Sequence, residues 1–344
     1  MRFPMESITT IVPRIMNGLA PRRPFTLTKL IEQLEEEERH DNPDLVLPLR
    51  DLQMVDAERL AVPDGRTFRL NDWSRRQTAS LLGLRWDRWF ENASGSDVAE
   101  EVNRRLQRSS AEVRVRTRSR PDEGPELRAL VTPRYTPVPD SVVARGIVAS
   151  IGHYNADPTV VRAHVTERTT SFVIGVGEPY KPGGDGRVGD VWGGLLVRNS
   201  NTGFAALAVQ LHLTRLVCLN GMTVPHEEAV LRRVHRGLDI GDLEVKLYAK
   251  LRDLPARLRK GTDTLAATTR IRVDDVNEEI GRFLENARQP RRLAPQIEAA
   301  YKKEEHASAF GIVQAITLAA QSLSAEERYE LERAAGAYAA SSLS

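Results

Sequence analysis

The spacing of apolar residues changes along the chain and predicts helices near both ends with strands between them. Apolar positions recur every three or four residues in the helical regions and every second residue in the central region. Ser, Thr, Asn and Asp mark the helix starts, because their side chains satisfy free backbone N–H groups. The helices predicted in the first half run from Thr26 or Thr28 to Glu38, from Asn71 or Asp72 to Gly83, from Ser96 or Asp97 to Leu106, and from Asp140 or Ser141 to Ile151.

Strict alternation begins after Ser110 and predicts a β-hairpin. Val113 and Val115 alternate with arginines, a polar turn follows at residues 121–125, and residues 127–131 are mostly apolar. One face of the first strand would be apolar, and the other would carry arginines at a repeat of about 7 Å. Four further strands, at residues 160–165, 171–176, 191–198 and 204–219, are separated by turn residues and predict an antiparallel meander.

Arg215 is an exception to the pattern of the last strand. It follows Leu211 and Leu213 on the apolar face, where an unpaired charge is costly. Two interpretations stay open: a β-bulge turns Arg215 outward, or the arginine is buried, paired and functional.

The region after Asn220-Gly221 is helical in pattern, with seams at residues 243–254, 271–283 and 307–320 and a last helix from Ser324 to about Ala340. The predicted fold is α+β: a curved antiparallel sheet, hairpin plus meander, packed with helices and followed by an all-helical C-terminal region. The predicted domains are an N-terminal arm of helix and loop (residues 1–70), an α+β core (71–237) and a helical region (238–344). Prolines at 43, 48 and 63 favour the arm.

Composition excludes several classes of protein. In 344 residues no apolar run approaches the roughly 20 that a bilayer span needs, so we expect no membrane association. The first 14 residues lack the apolar core of a secretory signal, and Cys218 is the only cysteine, so we expect a reduced, cytoplasmic protein without disulfides. The seven histidines form no HExxH-type pair, and the glycine-rich loop at 182–186 lacks the Lys-Ser/Thr end of a Walker motif.

An enzyme is also not expected. A hydrolase or nuclease would need clustered carboxylates, and the only candidates near the sheet are Asp185, Asp190, Glu227 and Glu228. We therefore predict no catalytic residues, no cofactor and no metal.

Charge is segregated along the chain although the net charge is only +2. Between residues 104 and 120 there are seven arginines and one acidic residue, whereas Glu32 and residues 35–38 form an acidic cluster. Such segregation indicates an anionic partner or head-to-tail self-association.

Several motifs resemble a family of phage- and plasmid-borne proteins of unknown function. The motifs are LRALVTPRY at 127–135, RNSNTGF at 198–204, RLVCLNGM at 215–222, RVHRG at 233–237 and AFGIVQAIT at 309–317, where the family ordinarily has Asn at the position of Gln314. The resemblance covers residues 70–340 and implies a gene carried by a phage, prophage or plasmid in a bacterial host cell. By topology the chain also resembles, remotely, the single-strand annealing proteins of phage recombination, which assemble into rings or filaments on DNA.

The leading hypothesis is a DNA-binding protein, binding or annealing single-stranded DNA in recombination or replication as a homo-oligomer. Arginines at strand spacing can follow phosphates, and Arg134 beside Tyr135 pairs a phosphate contact with a stacking ring. The structural alternatives are a charged edge strand and a packed tyrosine corner. The alternative function is a phage structural or host-interaction protein that binds a protein partner and no nucleic acid. The predicted nucleic-acid contacts are Arg114, Arg116, Arg118, Arg134, Tyr135, Arg198, Arg215, Arg232, Arg233 and His235.

Overall fold

Two β-sheets of six strands each form the centre of the protein in the computed structural model, and helices cover them. The structure describes residues 25–85, 93–154, 158–180, 189–216, 220–223, 230–304 and 306–343. Within these ranges the chain is α+β, as predicted, and it has ten α-helices, of which six follow residue 239.

The first sheet contains the predicted hairpin, β5 (Glu112–Arg120) and β6 (Gly124–Val131). Its strand order is β1-β5-β6-β4-β3-β2, where β1 is Leu45–Pro48, β2 Gln53–Met54, β3 Arg59–Ala61 and β4 Thr67–Leu70. Because β1 pairs with β5 on the side away from β6, the arginine-bearing strand is not an edge strand. The helices α2 (Asp72–Leu81) and α3 (Gly95–Leu106) accompany this sheet, and α1 (Leu27–Glu38) buries its apolar face in the core of the second sheet. The N-caps of α1, α2 and α3 are Thr26, Asn71 and Ser94.

The prediction of a loop-like arm at residues 42–70 is wrong, because this segment supplies four strands of the first sheet. Leu49, Leu60 and Phe68 are buried in its core. The prolines do not prevent strand formation because they avoid strand interiors: Pro48 ends β1 and Pro63 lies in the turn between β3 and β4.

The second sheet is the predicted antiparallel meander. Its strands are β7 (Thr159–Val165), β8 (Thr170–Gly175), β9 (Val191–Asn199) and β10 (Leu207–Arg215), and β11 (Asn220–Thr223) and β12 (Leu231–Arg233) both pair with the far edge of β10. One face of this sheet is apolar and packs against α1, α4 (Asp140–Ile151), α5 (Ile240–Leu251) and α6 (Leu254–Ala267). The other face carries polar residues and meets the last helix.

The C-terminal helices are α7 (Val276–Asn286), α8 (Ala294–Glu304), α9 (Ala309–Ala320) and α10 (Ala325–Ser341). The capping box of Ser324 and Glu327 begins α10 as predicted. Sequence reasoning missed α8, and it treated residues 243–254 as one seam, whereas α6 begins at Leu254 with Pro255 in its first turn. Among the described helices, none combines the length and the apolar character needed to cross a membrane.

Candidate nucleic-acid interface

The arginine row of β5 lies inside the protein, which contradicts its prediction as an open nucleic-acid surface. Arg116 and Arg118 are only 8% and 7% exposed. Arg118 Nε donates to Asp41 Oδ1 at 2.6 Å and its Nη1 donates to Glu37 Oε2 at 3.1 Å. Arg116 Nε donates to Asp44 Oδ1 at 3.1 Å, and Arg114 is half-buried with its Nη1 3.4 Å from Asp44.

The partner of the arginines is therefore an acidic segment of the same chain. The end of α1 and the following residues bring Glu37, Asp41 and Asp44 alongside β5, because β1 pairs with that strand. Asp41 also accepts from Arg128 of β6. Burial lowers the pKa of Arg128 to about 10, with Arg118 adding to the effect and Asp41 opposing it. Part of the charge segregation seen in the sequence is therefore satisfied within the molecule, because Glu37 of the acidic cluster pairs with Arg118 and Arg120 of β5.

Residues 199–202 form a buried polar joint between the two sheets. Asp140, at the start of α4, accepts from Asn199 Nδ2 at 2.7 Å and Asn201 Nδ2 at 3.1 Å. On the other side, the carbonyl oxygen of Thr202 accepts from Trp73 Nε1 at 2.9 Å, and Arg116 donates to the carbonyl oxygen of Asn201. Burial raises the pKa of Asp140 even though the side-chain amides of Asn199 and Asn201 donate hydrogen bonds to its carboxylate.

This joint is a turn, as the small polar residues predict. Gly203 has a φ of +81°, and a Cβ there would lie 2.8 Å from Val131 Cγ1. The RNSNTGF motif therefore has a structural role in this chain. Gly221, in contrast, lies inside β11 opposite Thr214. A Cβ at Gly221 would lie 2.2 Å from His212 Nε2, so the close ring requires glycine.

Tyr135 and His235 pack against each other and are not open to a base. Their rings are stacked with centroids 5.1 Å apart, and the Tyr135 hydroxyl donates to the carbonyl oxygen of Ser200. His235 is buried, with Nδ1 3.2 Å from the Thr136 carbonyl oxygen, and burial lowers its pKa. The prediction of a stacking ring at Tyr135 is replaced by its structural alternative, a packed corner.

Arg198 and Arg215 also pack on aromatic rings. The Arg198 guanidinium lies 4.3 Å from the Tyr329 ring centroid and 3.9 Å from Glu330. Arg215 pairs with Val191 and Asn220 in a regular register, so the bulge interpretation is wrong. Arg215 is half-buried, and its guanidinium lies 5.5 Å from the Phe310 ring. Neither arginine is presented to solvent as a free cation.

The remaining predicted cations do lie on the surface. Their two segments, residues 132–136 and 231–236, are adjacent: Tyr135 and Arg236 form a β-bridge, and Thr136 N donates to the His235 carbonyl oxygen at 2.7 Å. We call the four exposed arginines on these segments the basic ridge: Arg134, Arg232, Arg233 and Arg236. Arg236 is not among the nucleic-acid contacts predicted from the sequence. None of the four forms an ion pair with an acid in the described ranges.

A second charged cluster is buried between the second sheet and α10. Glu332 is fully buried, accepts from Arg162 Nη1 at 2.7 Å and also accepts from Arg328 Nε at 2.8 Å. His212 lies close by at 1% exposure, and neither of its ring nitrogens has a hydrogen-bond partner in the part of the chain that the structure describes. Burial lowers the pKa of His212 to about 3, although Glu332 opposes the effect.

We expect His212 to destabilise the protein as the pH falls. Its pKa is about 3 in the folded chain against an ordinary value of 6.5, so the unfolded chain binds the proton first and stability is lost below about pH 6.5. Between pH 7 and pH 5 this contributes a loss of about 2 kcal/mol in the free energy of unfolding. Urea unfolding of wild type and His212→Phe at both pH values measures it, because the variant should lose about 2 kcal/mol less.

The comparison of wild type with the variant isolates the contribution of His212, because other groups change stability with pH equally in both proteins. Asp140 is such a group: its raised pKa favours folding at low pH, which is opposite to the effect of His212. The matched control is His153→Phe at an exposed position, which should follow the wild type. Equal losses in wild type and His212→Phe would contradict a buried neutral imidazole.

No family model, curated protein or solved structure matches this chain. The glycine-rich loop at 182–186, Asp185, Cys218, Glu227 and Glu228 lie outside the described residues. Where the structure does describe the chain, no three His, Cys, Asp or Glu side chains come together as a metal site.

Proposed function

We propose that this protein binds the phosphate backbone of single-stranded DNA through the basic ridge, as a DNA-binding or annealing protein encoded by a phage or plasmid. One observation carries the proposal: four exposed arginines lie on two adjacent segments without an acidic partner in the described part of the chain. The arginines of β5, in contrast, are already neutralised by Glu37, Asp41 and Asp44. Exposed guanidinium groups are the side chains best suited to phosphate oxygens.

Contacts to the phosphate backbone are favoured over contacts to the bases, because the described residues of the ridge present no aromatic side chain on which a base could stack. Tyr135 and His235, the aromatic side chains beside the ridge arginines, stack on each other. Arginines that hold only phosphates leave the bases free to pair with a second strand, which annealing requires. We therefore expect little sequence preference and strong salt dependence.

The test is a fluorescence-anisotropy titration with a single-stranded and a double-stranded oligonucleotide of mixed sequence. Four phosphate contacts predict a slope of about −3 for log K against log salt on a single strand, so affinity should fall about 50-fold between 50 and 200 mM salt. The variant Arg134→Gln/Arg232→Gln/Arg233→Gln/Arg236→Gln should lose most of the binding and most of the slope.

A charge-matched control separates the ridge from net charge. Arg259→Gln/Arg270→Gln/Arg288→Gln/Arg291→Gln removes four exposed arginines from the C-terminal helical region and should bind within about twofold of wild type. If both quadruple variants lose affinity equally, binding depends on overall charge and the ridge is not the site. Tighter binding to the duplex would contradict the single-strand preference.

The second candidate function is a phage structural or host-interaction protein. The exposed side chains of Val245 and Tyr248 on α5 favour it, because large apolar groups in solvent indicate contact surfaces. This function predicts no binding of either oligonucleotide even at 20 mM salt, a concentration at which about four exposed arginines without acidic partners would give measurable affinity.

A further inference from the structure

The helix α5 exposes an apolar stripe on the side opposite its core contacts. Leu243, Leu247 and Leu251 pack into the core, whereas Val245 and Tyr248 are 69% and 55% exposed. Beside the stripe, α4 and α5 enclose a shallow groove of about 290 Å³. Its lining is almost wholly apolar or small: Gly146, Ala149, Ser150, Glu244, Val245 and Tyr248.

The charges along α5 are divided between its two halves. From the N-cap Asp239 to the C-cap Arg252, the first half carries three acidic residues and the second half three basic ones. These residues are Asp239, Asp242 and Glu244, followed by Lys246, Lys250 and Arg252. A copy of the same helix in antiparallel orientation therefore presents the complementary charge order, and the helix dipoles also oppose each other favourably.

We propose that the partner covering this face is a second copy of this chain. In a two-fold symmetric pair the same patch is used by both copies, so α5 lies antiparallel to its equivalent. With the axis between Lys246 and Leu247, Val245 of each copy lies over Tyr248 of the other, and Arg252 lies beside Asp242. The ring of Tyr248 from one copy then fills the groove between α4 and α5 of the other copy.

The proposed interface is small. One helix pair and a groove bury less than the roughly 800 Å² per partner of a standard interface, so we expect a dissociation constant in the micromolar range. This inference does not rest on nucleic-acid binding. If both proposals hold, the dimer carries two basic ridges, one from each copy. In each copy α5 begins seven residues after β12 ends.

Sedimentation velocity of the full chain between 1 and 200 µM tests the proposal. The wild type should shift from monomer to dimer over this range, and Val245→Glu and Tyr248→Glu should each weaken the dimer about tenfold or more. The matched control is Val55→Glu, which places the same charge at another exposed valine and should dimerise as wild type does. Circular dichroism establishes that each variant is folded.

A charge exchange tests the antiparallel arrangement. Asp242→Lys should weaken the dimer by placing like charges together, and the double variant Asp242→Lys/Arg252→Asp should dimerise more tightly than that single variant, because each substitution faces the other across the axis. Both variants lose the same intrahelical pair of Asp242 with Lys246, so the comparison between them reports on the contact across the axis. A wild type that stays monomeric at 200 µM, or a dimer unaffected by Val245→Glu, would overturn the proposal. A double variant weaker than the single one would overturn the antiparallel pairing.

Discussion

Replacing Glu332 with glutamine lowers the free energy of unfolding by about 3 to 5 kcal/mol, because removal of one partner leaves buried charges uncompensated. Glu332 is fully buried between Arg162 and Arg328, whose side chains are each about 15% exposed. Burial alone would raise the pKa of Glu332, but the two guanidinium groups outweigh it and hold the value at about 2. The variant would leave two neighbouring cations without an anion.

Urea unfolding at pH 7 measures this loss. The matched control is Glu330→Gln on the same helix, whose partly exposed carboxylate also contacts arginines and should cost less than about 1 kcal/mol. Replacing all three groups with apolar residues, as in Arg162→Met/Arg328→Leu/Glu332→Leu, should recover much of the loss, since no buried charge then remains. A cost below 1 kcal/mol for Glu332→Gln would show that water reaches the cluster.

Replacing Asp41 with asparagine should destabilise the first sheet by a similar amount, about 3 to 5 kcal/mol. Asp41 is the shared acceptor of Arg118 and Arg128, and Arg116 Nη2 lies 3.8 Å away. All three arginines have side chains less than 15% exposed. An amide at position 41 leaves Arg128 without an acidic partner in the described ranges, and it leaves Arg116 and Arg118 with one acid each, Asp44 and Glu37.

Thermal and urea unfolding of Asp41→Asn measure the effect. Asp51→Asn, an exposed aspartate 3.9 Å from Arg50, is the matched control and should change stability by less than about 0.5 kcal/mol. An Asp41→Asn protein as stable as the control would mean that the arginines reach solvent. A large loss of stability in Asp41→Asn would also mean that the arginines of β5 are unsuitable targets in the binding experiment. Replacing Arg114, Arg116 and Arg118 with alanine would then unfold the protein, and a loss of affinity would not report on a binding site.

Local patterns predicted the elements whose causes are themselves local. The N-caps Thr26, Asn71 and Ser324 and the alternation of β7 to β10 were readable because capping and strand pleating depend on near neighbours in sequence. The prediction failed at residues 42–70. There β1 and β4, of four residues each, pair with β5 and β6 more than 50 positions later, and β2 and β3 have only two and three residues. Such short strands have too few residues to show a period.

The candidate site shows the same division. Sequence identified the cations, including those of the basic ridge, but ranked the β5 arginines first because they alternate with apolar residues. Whether an arginine is open or neutralised depends on which acids the fold brings beside it, and Asp41 and Asp44 lie more than 70 positions before their partners. Arg134, Arg232, Arg233 and Arg236 lack such neighbours in the described ranges, which no local spacing reveals.

By itself, the sequence of this protein determined the α+β class, the hairpin and meander, and most helix boundaries, because hydrophobic period and capping chemistry act over a few residues. Tertiary structure alone decided the sheet order, the polar joint at residues 199–202, and which arginines are buried in ion pairs and which are exposed. It did so because burial and ion pairing are set by contacts between distant segments, and one arginine stabilises the core while another of the same type faces solvent.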